Sequence, residues 1–160
     1  MTAHIFDMDG TLLHETTAPL LLARALGGAD GLAALEKRFA DGSLTAVEFA
    51  GELHAMWGVV TPVVARGAID GAPIVEHLRE VLDDIHAHNE RACLITMSPD
   101  YFAEQFREFG FDAVFASRFP RDVDTPLDEA GILEPRDKPR LAGNFCAEHG
   151  LKLSDAVAYC

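Results

Sequence analysis

Little in this chain points outside a reducing, aqueous compartment. Its three cysteines, Cys93, Cys146 and Cys160, show no CxxC and no paired spacing. So odd and scattered a set argues against a disulfide framework or a structural zinc site. No basic stretch leading into an apolar run opens the chain, so no secretory signal is expected. Long apolar runs are missing too: the block around Leu20-Leu21-Leu22-Ala23 is far too short to span a bilayer. Basic residues are few, 13 against 26 acidic ones, for a formal charge of −13. A surface that negative repels nucleic acid and anionic membranes, and neither is expected as a partner. There is no P-loop, no GxGxxG, no internal repeat and no low-complexity tract. The expectation is a soluble, cytoplasmic protein, and no feature fixes its oligomeric state.

What is present is enough for a proper core. At 160 residues, 49% of them apolar, the chain has the length of one domain with room for a small insertion. Ala3-His4-Ile5-Phe6 opens a strand expected over residues 3–8. Thr17 and Pro19 read as a helix cap and an early helical position, with the apolar side over 20–26 and a stop at Gly27-Gly28. Between Gly31 and Gly67 three helical patterns follow at short intervals, over 32–39, 44–57 and from Thr61-Pro62. A stronger helix is expected from Asp70-Gly71-Ala72-Pro73, because Ile74, Val75, Leu78, Val81, Leu82 and Ile85 form one stripe.

Ala92-Cys93-Leu94-Ile95 reads as a strand buried on both faces. Ser98 and Pro99 then read as the N-cap and first position of a helix carrying Phe102, Phe106 and Phe109, closed by Gly110. A third strand is expected at 113–116, an irregular excursion or small hairpin at 117–137, a helix at 141–149 and another strand from 156. Such alternation predicts an α/β, Rossmann-like parallel sheet with helices on both faces. The strandless stretch at 14–71 predicts a small all-helical insertion.

Asp7-Met8-Asp9-Gly10-Thr11 directly follows the first apolar run. Carboxylates at i and i+2 on a strand share one side of a sheet, and Gly10 permits a sharp turn after them. By itself Asp-x-Asp-Gly is also a common turn. A calcium loop does not fit, since its sixth and twelfth positions, which need Gly and Glu, are Leu12 and Ala18. As chemistry, one carboxylate can attack phosphorus covalently while a second carries the proton to the leaving group.

Ligands of open parallel sheets bind at the carboxyl ends of the strands, where the second strand offers Thr96 and Ser98. Ser98 is equally a plain N-cap, and Thr96 is the better candidate to bond a phosphoryl oxygen. Lys138, expected just before the helix at 141–149, supplies a point charge for an anion in an acidic protein. His86 and His88, near Asp83 and Asp84, point apart on a helix and read as a solvated face. His14-Glu15 lacks the second histidine of a zinc-protease motif.

Taken in order, these residues resemble the haloacid dehalogenase-like phosphatases, particularly the branch that includes phosphoserine phosphatase. Asp7-Met8-Asp9-Gly10-Thr11 matches that family's first motif, Thr96 its second and Lys138 its third. The resemblance implies that Asp7 attacks phosphorus, Asp9 acts as acid and then base, and Thr96 and Lys138 hold the phosphoryl group. It implies Mg²⁺ held by Asp7 and the backbone carbonyl of Asp9, and substrate contacts from Gly10, Thr11 and Ser98. The substrate class it implies is a small phosphorylated metabolite. The core would be residues 1–13 and 72–160, with 14–71 as a helical cap.

Two departures stand out. The family's fourth motif, an acidic cluster after the next strand that supplies metal ligands, has no counterpart, because that strand runs into Cys160. A truncated chain is therefore expected, with weak Mg²⁺ binding, little turnover and exposed apolar surface at its incomplete edge. A phosphotransferase, or a non-catalytic remnant that binds a phosphorylated ligand or a partner protein, is the alternative. The second departure is Leu53, which stands near the cap position where phosphoserine phosphatases carry a basic residue. Arg24, Lys37, Arg38 and Arg66 are the possible substitutes, and Phe49, Met56 and Trp57 a possible apolar lining.

Overall fold

Short β-branched and apolar runs separated by helices give four parallel strands, and the computed structural model describes all of residues 1–160. Strands β1 (Ala3–Phe6), β2 (Arg91–Pro99), β3 (Ala113–Ser117) and β4 (Ala156–Tyr159) lie in the order β3-β2-β1-β4. Register is set by pairs such as Ile5 with Cys93, Phe6 with Tyr159 and Leu94 with Val114. Because side chains alternate along a strand, Ala92 and Leu94 face one layer and Cys93 and Ile95 the other.

The helices are α1 (Ala18–Leu26), α2 (Ala29–Ala40), α3 (Ala46–Trp57), α4 (Pro62–Ile69), α5 (Leu78–Ala87), α6 (Asp100–Ala103) and α7 (Asp137–Glu148). On one face of the sheet, Leu82 and Ile85 of α5 pack with Phe6, Leu94, Phe102 and Phe106. On the other, Ala142, Phe145 and Cys146 of α7 cover Ala3, Cys93 and Ile95. The expected layered α/β architecture is thus present, with β1 to β3 packed between helices and β4 left largely exposed, Val157 and Tyr159 at 45% and 38%.

Helices α1 to α4 form one run between β1 and α5, and their starts are the ones the sequence marks. Thr17 and Thr61 each accept a hydrogen bond from the third residue on, with proline in the first turn of α1 and α4. Thr45 and Glu48 form a reciprocal capping box on α3. The run leaves and rejoins the core at one point, where Leu13 bridges Ile74, His14 N–H donates to Pro73 and Val75 N–H donates to Leu12. Leu22, Leu32 and Leu53 share one buried cluster with Phe6 and Leu94, so these helices are packed onto the sheet layer.

Several boundaries differ from expectation. The first strand ends at Phe6, because Met8 turns back to accept the N–H groups of Thr11 and Leu13. Residues 70–77 are not helical: Ile74 and Val75 are recruited to the bridge with Leu12 and Leu13, and α5 starts at Leu78 after a left-handed His77. Val75 and Val81 consequently stand 43% and 44% exposed rather than in the stripe. Strand β2 extends through Pro99, so Ser98 is not an N-cap; the cap of α6 is Pro99, with no side-chain bond.

The three-phenylalanine helix is in fact α6 continued by a 3-10 turn over Glu104–Phe109, which swings Phe106 into the core. The excursion at 117–137 contains one 3-10 turn, Glu129–Gly131, and no hairpin. Helix α7 begins at Asp137, which places Lys138 in its first turn instead of ahead of it.

Phe106 is fully buried against Phe102 and Phe109. Replacing it with Ala is expected to cost about 3–5 kcal/mol by chemical denaturation, from lost burial plus the cavity left behind. Val123→Ala, at a side chain 87% exposed, is expected to move stability by less than about 0.5 kcal/mol.

Candidate active site

Four segments deliver the candidate groups to the carboxyl end of the sheet. Just past β1, the N–H of Asp7 donates to Tyr159 of β4 at 2.9 Å, so its backbone is still held by the sheet. Asp7 Oδ1 accepts from the N–H of Met8 at 2.8 Å, and Oδ2 lies 2.8 Å from Nζ of Lys138. Met8, fully buried, anchors the turn between the two aspartates. Gly10 adopts φ +74°, a left-handed conformation that glycine takes without cost, and its N–H donates to Thr16 at 3.0 Å.

Asp9 is captured from three directions. Oδ1 accepts from the N–H of Ala18, the first residue of α1, at 2.7 Å. Oδ2 accepts from the hydroxyls of Ser98 at 2.6 Å and Thr96 at 3.2 Å. Thr96 and Ser98 reach the same oxygen because they stand two apart on β2, on one face. Thr96 Oγ1 also accepts from the N–H of Ser98 at 3.1 Å, which fixes its rotamer.

Burial dominates the electrostatics of Asp9 and raises its carboxyl above the ordinary carboxylate range. The bonds from Ser98 and Ala18 oppose that rise, the charge of Asp7 adds to it, and the bond from Thr96 opposes it again. Of two neighbouring carboxylates, one is therefore ion-paired and the other is held above the ordinary carboxylate range by burial. Neighbouring acids held in such unlike surroundings take different roles. Lys138 sits in the first turn of α7, where the helix dipole disfavours a cation, and Asp7 offsets that cost.

These groups open into a cavity of about 350 Å³. Asp7, Asp9, Thr96, Ser98 and Lys138 line it, so five of the seven residues singled out in the sequence converge. Gly10 and Thr11 are not among its lining residues, and their N–H groups are used within the turn, toward Thr16 and Met8. The wall contributed by α2 and α3 holds Phe39, Ala46, Phe49, Ala50 and Leu53, with Glu36 as the one charged group. Phe119 closes another side.

None of Arg24, Lys37, Arg38 and Arg66 lines the cavity; Arg66 pairs instead with Asp70 and Glu108. Phe49 is part of the lining, but Met56 packs against Gly28 and Gly31, and the Trp57 indole donates to Gly27. His86 and His88 pair separately, with Asp112 and Asp84, as a solvated face would.

Glu36 was not singled out in the sequence, although a signal was there. Leu32, Leu35, Glu36 and Phe39 share one face of α2 at helical spacing, and an acid within an apolar stripe asks for a reason.

Hard oxygen donors from Asp7 and Asp9 are of the kind Mg²⁺ takes, since that ion uses one or two carboxylates and completes its shell with water and phosphate. The donor set is small: no group of three or more His, Cys, Asp or Glu side chains gathers anywhere in the chain. Both oxygens of Asp9 accept hydrogen bonds, and those of Asp7 face Met8 N–H and Lys138, so a metal would share the Asp7 carboxylate with these partners.

The model of the haloacid dehalogenase-like hydrolases matches residues 5–160, and the chain belongs to that family. Among solved structures it is similar to a haloacid dehalogenase family hydrolase from Salmonella enterica serovar Typhi, with a TM-score of 0.81 at 20% identity. That match covers 98% of this chain and 54% of the Salmonella protein, so the chain spans about half the length of that relative. It is also similar to a phosphoserine phosphatase solved as an analogue of its phospho-aspartyl intermediate, with a TM-score of 0.77, 18% identity, and 98% and 76% of the two chains covered. A probable phosphoserine phosphatase from Vibrio cholerae gives a TM-score of 0.76 at 14% identity over 98% of this chain and 49% of that one. At such identities the likeness is one of fold. No curated protein matches the sequence.

Asp9 allows a stability test that does not need turnover. Its folded-state carboxyl lies above the unfolded value of 3.8, so the folded state binds the extra proton as pH rises past that value. The native state is favoured most below the unfolded pKa and loses that advantage as pH climbs through the folded one. Asp9→Asn removes the cost, and its amide can donate to Ser98 and Thr96 while its oxygen accepts from Ala18. Calorimetry at pH 7 is expected to show a higher Tm for Asp9→Asn, by about 2–4 °C per kcal/mol relieved. The gain should shrink as pH is lowered toward 4 (roughly the ordinary carboxylate range).

Proposed function

We propose that this chain is the catalytic portion of a phosphomonoesterase that works through an aspartyl phosphate on Asp7. The observation that carries the reading is the division of labour within one cavity: an Asp7 paired with Lys138 beside a buried Asp9 held by Ala18, Thr96 and Ser98. An Asp7 carboxylate oxygen forms a bond to phosphorus as the ester P–O bond breaks. The electron pair leaves on the alcohol oxygen, which takes its proton from Asp9. Asp9, now a carboxylate, removes a proton from water, whose oxygen bonds to phosphorus. The bond to Asp7 breaks, and inorganic phosphate leaves.

Lys138 holds the anionic phosphoryl oxygens, and the hydroxyls of Thr96 and Ser98, which donate to Asp9 in the free site, turn toward those oxygens when the ester is bound. Mg²⁺, when bound, would be held by Asp7 and the Asp9 carbonyl and would supply positive charge against the phosphoryl oxygens. Helices α1 to α4, residues 14–71, serve as the cap that shuts water from the intermediate. Residues 1–13 and 72–160 serve as the core, and a small phosphorylated metabolite of the cytoplasm is the substrate. A second reading, binding of a phosphate ester without turnover, draws on one fact: no third acidic ligand joins the aspartates.

With p-nitrophenyl phosphate, whose leaving group needs no proton, wild type in Mg²⁺ is expected to release phosphate steadily. Asp9→Asn should give one stoichiometric burst of nitrophenol and then stall, its steady rate lower by about 10²–10⁴-fold. Undiminished steady release by Asp9→Asn would remove Asp9 from the mechanism. Absence of both burst and turnover in wild type would favour the binding-only reading.

A further inference from the structure

The wall of the cavity contributed by α2 and α3 is apolar and aromatic, with one exception. Phe39, Phe49 and Leu53 line it beside Glu36, whose carboxylate has no salt bridge and no hydrogen-bond partner in the protein. The other basic side chains of this region are engaged elsewhere or lie outside the wall, Arg38 reaching toward Glu52 at 3.9 Å. Lys138, the one cation of the lining, is taken by Asp7 and by the phosphoryl group.

The leaving group of any ester bound here therefore meets rings and a single lone acid. A carboxylate on that leaving group would face Glu36 with nothing to neutralise it, inside a protein of charge −13. A cationic nitrogen meets the opposite situation: a carboxylate to pair with and ring faces within the same wall. Burial, with the charge of Asp9 added, pushes the Glu36 carboxyl up, so the free site carries an electrostatic cost that a bound cation would relieve.

Resting on the phosphatase reading above, we propose that the substrate is the phosphomonoester of an amino alcohol. Its ammonium group pairs with Glu36 against Phe39 and Phe49, and it carries no carboxylate. Glu36 is then a specificity residue: it reads the alcohol and takes no role in the transfer at phosphorus. The apolar wall accepts the carbon chain, and Leu53 leaves no place for an acid.

Calorimetric titration of the wild-type chain in Mg²⁺ with three esters separates the possibilities. 2-Aminoethyl phosphate and propyl phosphate are nearly isosteric, differing by an ammonium in place of a methyl, and O-phosphoserine adds a carboxylate to the former. 2-Aminoethyl phosphate is expected to bind about tenfold more tightly than propyl phosphate, and O-phosphoserine no better than propyl phosphate. Glu36→Gln should bring the ratio of the first two close to one. Equal affinities in wild type, a ratio unchanged in Glu36→Gln, or phosphoserine as the tightest ligand would overturn the inference and leave the phosphatase reading standing. If inorganic phosphate and all three esters fail to bind, the phosphatase reading itself falls and takes this inference with it.

Discussion

Asp9 is the point through which this fold is tied together. One carboxylate accepts from the first amide of α1 and from two hydroxyls of β2 while its own backbone follows β1. Three separate segments, two strand ends and the start of the four-helix run, are thereby fixed relative to one another. The bonds satisfy the buried oxygens, yet burial still outweighs them and holds the carboxyl above its ordinary range. A side chain that would merely stabilise the corner would serve better as asparagine. That an acid is kept there, at the mouth of a cavity beside a second acid, is the physical reason to connect the corner with proton transfer.

Charge at the site runs against the charge of the whole. A molecule with twice as many acids as bases repels an anion at long range, and the cavity counters this with one lysine and two hydroxyls, of Thr96 and Ser98. Lys138 reaches Asp7 only because α7 begins one turn earlier than its apolar residues suggest. On the wall contributed by α2 and α3 no such compensation exists, and Glu36 adds a further negative charge.

Much of this was legible in the residues. Strand-helix alternation, the threonine caps of α1, α3 and α4, and the placement of Asp7, Asp9, Thr96 and Lys138 at the carboxyl end of the sheet all emerge from local chemistry. Ser98 shows why local rules fail near a site. Ser-Pro ahead of an apolar run has the form of a cap, but Asp9 competes for the hydroxyl and the strand continues to Pro99. Ile74 and Val75 fit a helical stripe, yet the bridge to Leu12 and Leu13 claims them, a tertiary contact that periodicity cannot express. Gly10 and Thr11 belong to the motif but spend their amides on its turn, and Glu36 was hidden because a single acid on an amphipathic helix looks like solvated surface.

Whether Asp7 bonds to phosphorus is decided most directly by a crystal structure grown with beryllofluoride and Mg²⁺. The account predicts a tetrahedral beryllofluoride bonded to a carboxylate oxygen of Asp7, with Lys138 on one fluorine and Thr96 or Ser98 on another. Beryllofluoride bound to any other side chain, or an Asp7 still closed in its pair with Lys138 at saturating concentration, would contradict it.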